Sequence, residues 1–340
     1  MATQDIAVVI PVFNEEGNIN AIVEKLEMVF RGLPEINYKI IFVDDGSVDS
    51  SLPLIMKLCQ QNPRLFYISL SRNFGKDNAI IAGLQSVKAD AAISMDADLQ
   101  HPPDLIREMV KCWQEGYEVV YAFRKDKNKH ARFLTRLRSY LFYKAINAFS
   151  DVKLENGISD FKLLDKKVVE IINKLPEERP FLRALVKWVG FKQKGLEYEP
   201  IARHSGSTKY TLENLIKLAT QGLTSFSTKP LTLAIYLGFF FSATSLLYFP
   251  YVMLSLYFHW QRTGSGWASV IVSIVFFGGL QLIILGIIGL YLGKTFTQGK
   301  NRPRYIIGTS NIENEKKFFT VVISMNLISC VPEYAEFPLT

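Results

Sequence analysis

The chain has 340 residues, of which 49% are hydrophobic and 21% charged, and its net charge is +7. That length allows two domains, and the concentration of apolar residues towards the carboxyl end argues against an ordinary soluble protein. Much of the positive charge sits in short segments beside apolar stretches, which favours phosphate or lipid head groups over nucleic acid as partners. The three cysteines lie far apart and predict reduced thiols rather than a metal site or disulfides.

Apolar runs alternate with amphipathic stretches through the first part of the chain. The predicted strands are Ile6–Val12, Tyr38–Val43, Leu65–Leu70, Ala91–Ile93 and Tyr117–Ala122. This alternation predicts a parallel α/β sheet, and the polar residues that follow each strand would line one crevice at its carboxyl edge. Neither a dinucleotide-binding G-x-G-x-x-G after the first strand nor a P-loop motif is present, so those two nucleotide folds are disfavoured.

Two carboxylates and an amide follow the fourth strand at alternate positions, namely Asp96, Asp98 and Gln100. In an extended chain such residues point to the same side, so their oxygens would converge just past the strand. Oxygen ligands suit Mg²⁺ or Mn²⁺, which would also hold phosphate. The alternative is a polar loop with two solvated acids.

Four motifs occur in sequence order: Pro11-Val12-Phe13-Asn14-Glu15, Val43-Asp44-Asp45-Gly46-Ser47, Leu70-Ser71-Arg72-Asn73-Phe74-Gly75-Lys76 and Met95-Asp96-Ala97-Asp98-Leu99-Gln100-His101-Pro102-Pro103. Together they resemble the family-two, GT-A-fold glycosyltransferases. Within that family they are similar to the polyprenyl-phosphate branch, which contains dolichol-phosphate mannose synthases and bactoprenol glucosyltransferases. The resemblance covers residues 5–300 and implies an inverting sugar transfer by a GT-A catalytic domain.

The resemblance also implies roles for individual residues. The nucleotide sugar would be bound by Pro11, Phe13, Glu15, Asp44, Asp45 and Asp96. The metal, Mg²⁺ or Mn²⁺, would be held by Asp96, Asp98 and Gln100, and Asp98 and Asp160 would be catalytic. Two alternatives stay open: Asp45 as a turn or helix cap, and Asp160 as a helix cap or as an orienting group rather than a base.

Basic residues supply candidates for phosphate binding. Arg124 follows the fifth strand and is expected to bind the donor, because arginine can bind phosphate with two hydrogen bonds. The expected ligands of the lipid phosphate or diphosphate are Arg136, Arg138, Arg203, Ser207 and Lys209. For Arg72 and Lys76, a solvated surface position and a phosphate contact remain equally open.

The last third of the chain predicts a membrane anchor. Residues 211–229 are predicted to form an amphipathic helix, which is interfacial or, as the alternative, packed in a protein core. Leu231–Phe258 and Trp267–Gly293 lack charged residues and are long enough for two transmembrane helices. Basic residues on the flanks place both termini in the cytosol, in a multi-pass protein of the inner membrane. The domain boundaries are therefore 1–210 (catalytic), 211–229, 230–294 (helical hairpin) and 295–340 (tail). Glycines in the second span favour a homo-oligomer.

The sequence thus predicts a membrane-anchored glycosyltransferase that acts on a polyprenyl phosphate. The residues alone do not identify the sugar or the nucleobase, and the resemblance to bactoprenol glucosyltransferases implies glucose from UDP-glucose and undecaprenyl phosphate as the acceptor. Two alternatives are transfer from GDP-mannose and a nucleotide-sugar-binding membrane protein without catalysis. A processive polysaccharide synthase is disfavoured by the small number of spans, and a carrier by the absence of ionisable residues within them.

Overall fold

The computed structural model describes residues 3–124, 158–177, 180–199 and 266–312, together with some positions between 229 and 257. The described residues fall into two units. The first holds 3–124, 158–177, 180–199 and 303–312, and the second holds the remainder.

The strands of the first unit are β1 (Gln4–Val12), β2 (Ile36–Asp44), β3 (Leu65–Leu70), β4 (Ala91–Ser94), β5 (Val119–Arg124), β6 (Ile158–Asp165), β7 (Gln193–Tyr198) and β8 (Ile307–Ser310). Its helices are α1 (Ile19–Arg31), α2 (Ser51–Gln61), α3 (Lys76–Ser86), α4 (Leu105–Gln114), α5 (Lys166–Lys174) and α6 (Leu182–Trp188). All five strands predicted from apolar runs are present.

All eight strands join one sheet in the order β7-β5-β6-β4-β1-β2-β3-β8. Strands β1 to β4 pair in parallel, and β5 pairs in parallel with β7. The prediction of an α/β fold with a mostly parallel sheet is confirmed. Since the parallel strands end at one edge, the loops that follow β1, β2, β3 and β4 meet there.

Helices cover both faces of this sheet. Val8 of β1 belongs to an apolar cluster with α1, α2 and α4, whereas its neighbour Val9 belongs to a second cluster with α3, α5 and α6. Successive residues of a strand point to opposite faces, which explains why β1 is apolar throughout. Gly83 of α3 permits the close approach of the second helical layer, because a Cβ atom there would lie 2.3 Å from a methyl group of Val9.

Three strands were not predicted, namely β6, β7 and β8. Strand β6 pairs antiparallel with β4 and β5, so Asp160 lies inside a strand and the helix-cap alternative for it is wrong. The cap of α5 is Asp165, whose side chain accepts a hydrogen bond from Lys167 N at 2.9 Å. Strand β8 pairs antiparallel with β3, although their sequences are more than two hundred residues apart.

The second unit contains a long apolar helix, α7 (Trp267–Gly299). Within the described part of the chain, one helical segment is long and apolar enough to cross a membrane, namely Ser273–Gly299, with a mean hydropathy of 2.3. Its large apolar side chains, such as Leu282 and Ile274, are exposed rather than packed in a protein core. The described positions between 229 and 257 are also helical. The other residues of the predicted first span, and most of the predicted interfacial helix, lie outside the described residues.

Candidate active site

Two adjacent carboxylates at the end of β2 organise the loops around them. Asp44 accepts hydrogen bonds from Ser47 N at 3.1 Å and from the Ser69 hydroxyl at 2.9 Å. Asp45 accepts from the backbone N–H groups of Phe74 and Gly75 at 2.7 and 3.0 Å. Burial raises the pKa of Asp45, and these two hydrogen bonds oppose the rise. Asp45 therefore fixes the loop that leads from β3 into α3.

Gly46 allows the β2 and β3 loops to touch. Its φ is +74°, and a Cβ atom would lie 2.7 Å from Arg72 C and 2.8 Å from Asn73 N. These distances are shorter than real carbon contacts, and the positive φ disfavours any other residue. Only glycine fits this position without moving the loop.

The loop after β1 is joined to the loop after β2. Asn14 N donates to Ser47 Oγ at 3.0 Å, and Asn14 Oδ1 accepts from Val48 N at 2.9 Å. Phe13 is 41% exposed at the same edge of the sheet, so its ring is available for stacking. Pro11 lies in β1 opposite Val43.

A network of charged residues lies at the carboxyl end of β4. The Lys76 ammonium is 2.6 Å from Asp96 Oδ1 and 2.6 Å from Asp160 Oδ2. Arg183 Nε and Nη2 donate to the two oxygens of Asp160, both at 2.7 Å. Residues from α3, the β4 loop, β6 and α6 thus meet around the Asp160 carboxylate.

These contacts determine the protonation of the network. Burial alone would raise the pKa of Asp160, but the Lys76 ammonium and the Arg183 guanidinium hold it well below its usual range. Behind this carboxylate, burial lowers the pKa of Lys162 to about 8 and raises the pKa of Asp77 to about 6. Lys162 is fully buried, and its ammonium has no hydrogen-bond partner among the described residues. Asp160 is consequently ionised at neutral pH and poorly suited to accept a proton.

The segment that follows β4 forms a turn rather than the extended chain expected from the sequence. Leu99 adopts a φ of +58°, which ends the extended geometry. Ala97 and Leu99 are nevertheless buried, whereas Asp96, Asp98 and Gln100 are half-buried, so the alternation of buried and accessible side chains persists through the turn. The accessible carboxylates and amide are therefore presented by a turn whose apolar residues anchor it in the core.

Neighbouring residues support this turn. Asp98 Oδ1 accepts from Gln100 N at 3.1 Å, and Gln100 Oε1 accepts from Arg124 Nη2 at 3.0 Å. His101 Nδ1 accepts from Asp96 N at 3.2 Å, and its ring stacks on Phe161 with centroids 5.3 Å apart. Burial lowers the pKa of His101, so the imidazole is neutral and acts as an acceptor.

The oxygen atoms near Asp96 fit a hard cation that takes one or two ligands from the protein and the others from a substrate and water. Among the described residues, no three His, Cys, Asp or Glu side chains are grouped so as to hold a metal ion by themselves. Asp96 Oδ1 is buried, and within the described residues its partner is the Lys76 ammonium. One or two carboxylates, completed by water and phosphate oxygens, are the usual protein ligands of Mg²⁺ at nucleotide sites.

The chain matches the family model described as "Glycosyl transferase family 2" over residues 7–172. It is 42% identical to the "Uncharacterized glycosyltransferase YkcC" of Bacillus subtilis (strain 168), over 92% of this chain and 96% of that protein. The chain belongs to glycosyltransferase family 2. It is also 38% identical to the "Bactoprenol glucosyl transferase" of Shigella phage SfII, over 91% of this chain and 99% of that protein.

Among solved structures, this glycosyltransferase is similar to glucosyl-3-phosphoglycerate synthase from Mycobacterium tuberculosis in complex with Mn²⁺, uridine-diphosphate and phosphoglyceric acid. The TM-score is 0.47 at 18% identity, and the match covers 65% of this chain and 76% of that one.

The structure brings together part of the site predicted from the sequence. Asp96 and Asp160 are joined through Lys76, and Gln100 is joined to Arg124. Arg183 has no motif that would have identified it. The expected phosphate ligands Arg136, Arg138, Arg203, Ser207 and Lys209 lie outside the described residues.

Proposed function

We propose that this glycosyltransferase transfers glucose from UDP-glucose to a polyprenyl phosphate at the cytosolic face of a membrane. The observation that carries the proposal is the Lys76–Asp96–Asp160–Arg183 network at the carboxyl edge of the sheet, in a chain that aligns over nearly the whole length of relatives named bactoprenol glucosyl transferase. The network combines carboxylates for a metal with cations for phosphate.

The donor nucleotide binds across the ends of β1 and β2. The exposed ring of Phe13 is suited to stack on the base, and Asp44, Asp45 and Glu15 lie beside it in the same group of loops. The donor's diphosphate lies near Asp96, Asp98 and Gln100, with Arg124 as a cation at its edge. A Mg²⁺ or Mn²⁺ ion on Asp96 and Asp98, when bound, stabilises negative charge on the leaving diphosphate.

The reaction is a single displacement with inversion. An oxygen of the lipid phosphate forms a bond to the anomeric carbon as the bond from that carbon to the UDP oxygen breaks, and UDP leaves with the electron pair. A phosphate monoester has its second pKa near ~6, so the acceptor is already largely dianionic at neutral pH and needs no base. Asp160, held ionised by Lys76 and Arg183, positions these two cations and the surrounding loops.

The sheet topology supports an even number of membrane crossings. The chain leaves the sheet after β7 and returns to it at β8, and a single sheet lies on one side of a membrane. The intervening residues therefore cross an even number of times. Helix α7 supplies one crossing, and the apolar stretch 231–258, whose described positions are helical, supplies the other. Lys294, Lys300 and Arg302 after the second span favour the cytosol for the catalytic domain, and the glycines of α7 favour a homo-oligomer.

The test is transfer of labelled sugar to undecaprenyl phosphate by the full-length protein in detergent. UDP-glucose, UDP-galactose and GDP-mannose are compared, each with Mg²⁺, with Mn²⁺ and with chelator. We expect a lipid-soluble product from UDP-glucose that is lost with chelator and in Asp98→Ala, but retained in Arg107→Gln, which changes an exposed residue on α4. A product from GDP-mannose alone would replace the proposed donor, and nucleotide binding without any lipid product would overturn the proposal.

A further inference from the structure

Lys76 occupies the position between two carboxylates. Its ammonium is 2.6 Å from both Asp96 and Asp160, and its side chain is 41% exposed, compared with 4% for Asp160. Asp160 also receives both hydrogen bonds of Arg183. Asp160 therefore keeps a cationic partner, Arg183, if Lys76 moves, and Lys76 is the more exposed of the two residues in this ion pair.

Asp96 depends on Lys76 for its charge balance. The Lys76 ammonium is 2.6 Å from Asp96 Oδ1, a buried oxygen for which the described residues supply no other hydrogen-bond partner. The nearby His101 supplies no full charge, because its Nδ1 accepts a hydrogen bond from Asp96 N and its Nε2 is 3.9 Å from Asp96 Oδ2. Across the described part of the chain, Lys76 is the cation paired with Asp96.

We propose that Lys76 and the donor's divalent cation compete for Asp96, so that the free enzyme binds the metal weakly and binds it well only together with the nucleotide. This inference rests on the proposed function, which assigns the metal to Asp96. Two cations on one carboxylate oxygen repel each other strongly in a partly buried site. When the metal arrives with a diphosphate, the displaced ammonium gains a new anion to pair with, which removes the penalty.

The size of the effect follows from the same Coulomb interaction that shifts proton affinities. A neighbouring unit charge changes the proton affinity of a carboxylate by about 10- to 1,000-fold. Removing the Lys76 charge is therefore expected to tighten Mn²⁺ binding to the nucleotide-free enzyme by at least about tenfold. With UDP present, the difference in Mn²⁺ affinity between the wild type and the variants narrows, because the negative diphosphate then compensates the positive charge of the Lys76 ammonium.

The experiment measures Mn²⁺ binding by the loss of the free-ion electron paramagnetic resonance signal, using full-length protein in detergent without and with UDP. The variants are Lys76→Met and Lys76→Gln, which keeps a hydrogen-bond donor without the charge. The matched control is Lys57→Met, an exposed lysine on α2. Thermal unfolding of each variant verifies that it is folded. If Lys76→Met is not folded, the result for Lys76→Gln decides the test.

We expect both Lys76 variants to bind Mn²⁺ at least about tenfold more tightly than the wild type without UDP, and Lys57→Met to match the wild type. Equal or weaker Mn²⁺ binding by the folded Lys76 variants, while Mn²⁺ still binds with UDP and Asp96→Asn abolishes it, would overturn this inference alone. No Mn²⁺ binding by any variant, with or without UDP, would instead overturn the metal assignment in the proposed function and this inference with it.

Discussion

Replacing Arg183 with glutamine tests whether Asp160 is an anchor or a base. The change removes two hydrogen bonds of 2.7 Å to a carboxylate whose side chain is 4% exposed, and leaves Lys76 in place. Hydrogen bonds to charged groups contribute about 1.5–3 kcal/mol each. Because the Arg183 side chain is itself 32% exposed, water recovers part of this, and we take about 2–3 kcal/mol for the pair.

If these two hydrogen bonds hold the site in the geometry of the transition state, losing them raises the activation free energy by this amount. Since each 1.36 kcal/mol is tenfold in rate, kcat/KM then falls by about 30- to 150-fold. A base mechanism makes the opposite prediction. Removing a neighbouring cation raises the pKa of a carboxylate by about 1–3 units, which would make Asp160 a stronger base. The rate at neutral pH would then be maintained or increased.

The assay is the initial rate of labelled glucose transfer to polyprenyl phosphate from about pH 5.5 to 9, with kcat and KM determined separately. We expect wild type and variant to share one acid limb near ~6, set by the lipid phosphate. Arg107→Gln, which removes a surface ion pair of 4.0 Å with Asp104, serves as the matched control. An Arg183→Gln enzyme at least as active as the wild type, with its acid limb moved upwards, would refute the anchor role.

Four further outcomes follow from the structure. Gly46→Ala forces a Cβ atom to 2.7 Å from Arg72 C at a φ of +74°, so we expect a loss of about 1–3 kcal/mol in unfolding free energy and weaker UDP binding by calorimetry. Asp45→Asn weakens the hold on the β3–α3 loop, and about tenfold weaker UDP binding is expected. Lys162 has a pKa of about 8 in the folded protein and of about 10.4 in the unfolded chain. Between these pH values the unfolded chain binds more protons, so the free energy of unfolding rises with pH. Denaturant titrations should show this rise in the wild type and not in Lys162→Met. Truncation after Arg302 removes β8 and should lower both the melting temperature and UDP affinity, whereas truncation after Ile312 keeps the strand and should preserve both.

Strands such as β1 could be predicted from local sequence, because burial on both faces alone determines their residue pattern. Residues 6–12 form a continuous apolar run because β1 is buried on both faces, and such a run needs no knowledge of its neighbours. Strand β6 is different. Its antiparallel position between β4 and β5 depends on pairing partners distant in sequence, and its short motif Ser159-Asp160-Phe161-Lys162 gives no clear periodicity.

Strand β8 has even less local signal, because Ile307-Gly308-Thr309-Ser310 contains a glycine and a single large apolar residue. It is specified by its contacts instead. Ser71 N donates to Ile306 O at 2.9 Å, and Tyr67 N donates to Asn311 Oδ1 at 2.7 Å. Since Ser71 begins the loop that reaches Lys76, the chain that follows α7 supports the active-site loop directly.

The candidate site likewise contains residues that local sequence predicts and residues that only distant contacts define. Asp96 and Asp98 were identified because carboxylates directly after a buried strand are a short-range pattern. Arg183 lies on a short helix with no motif, and its role becomes visible only when β6 brings Asp160 within 2.7 Å of it. A residue that acts through a partner on another element has no sequence signature of its own.

The charge balance of the site explains why metal and donor should enter together. The described network contains equal numbers of cationic and anionic side chains, namely Lys76, Lys162 and Arg183 with Asp77, Asp96 and Asp160. A divalent cation alone or a diphosphate alone would leave a large net charge in a partly buried site, where charges are poorly screened. Bound together they nearly cancel, which agrees with the proposal that the metal and the nucleotide bind together and that Lys76 changes its partner when they do.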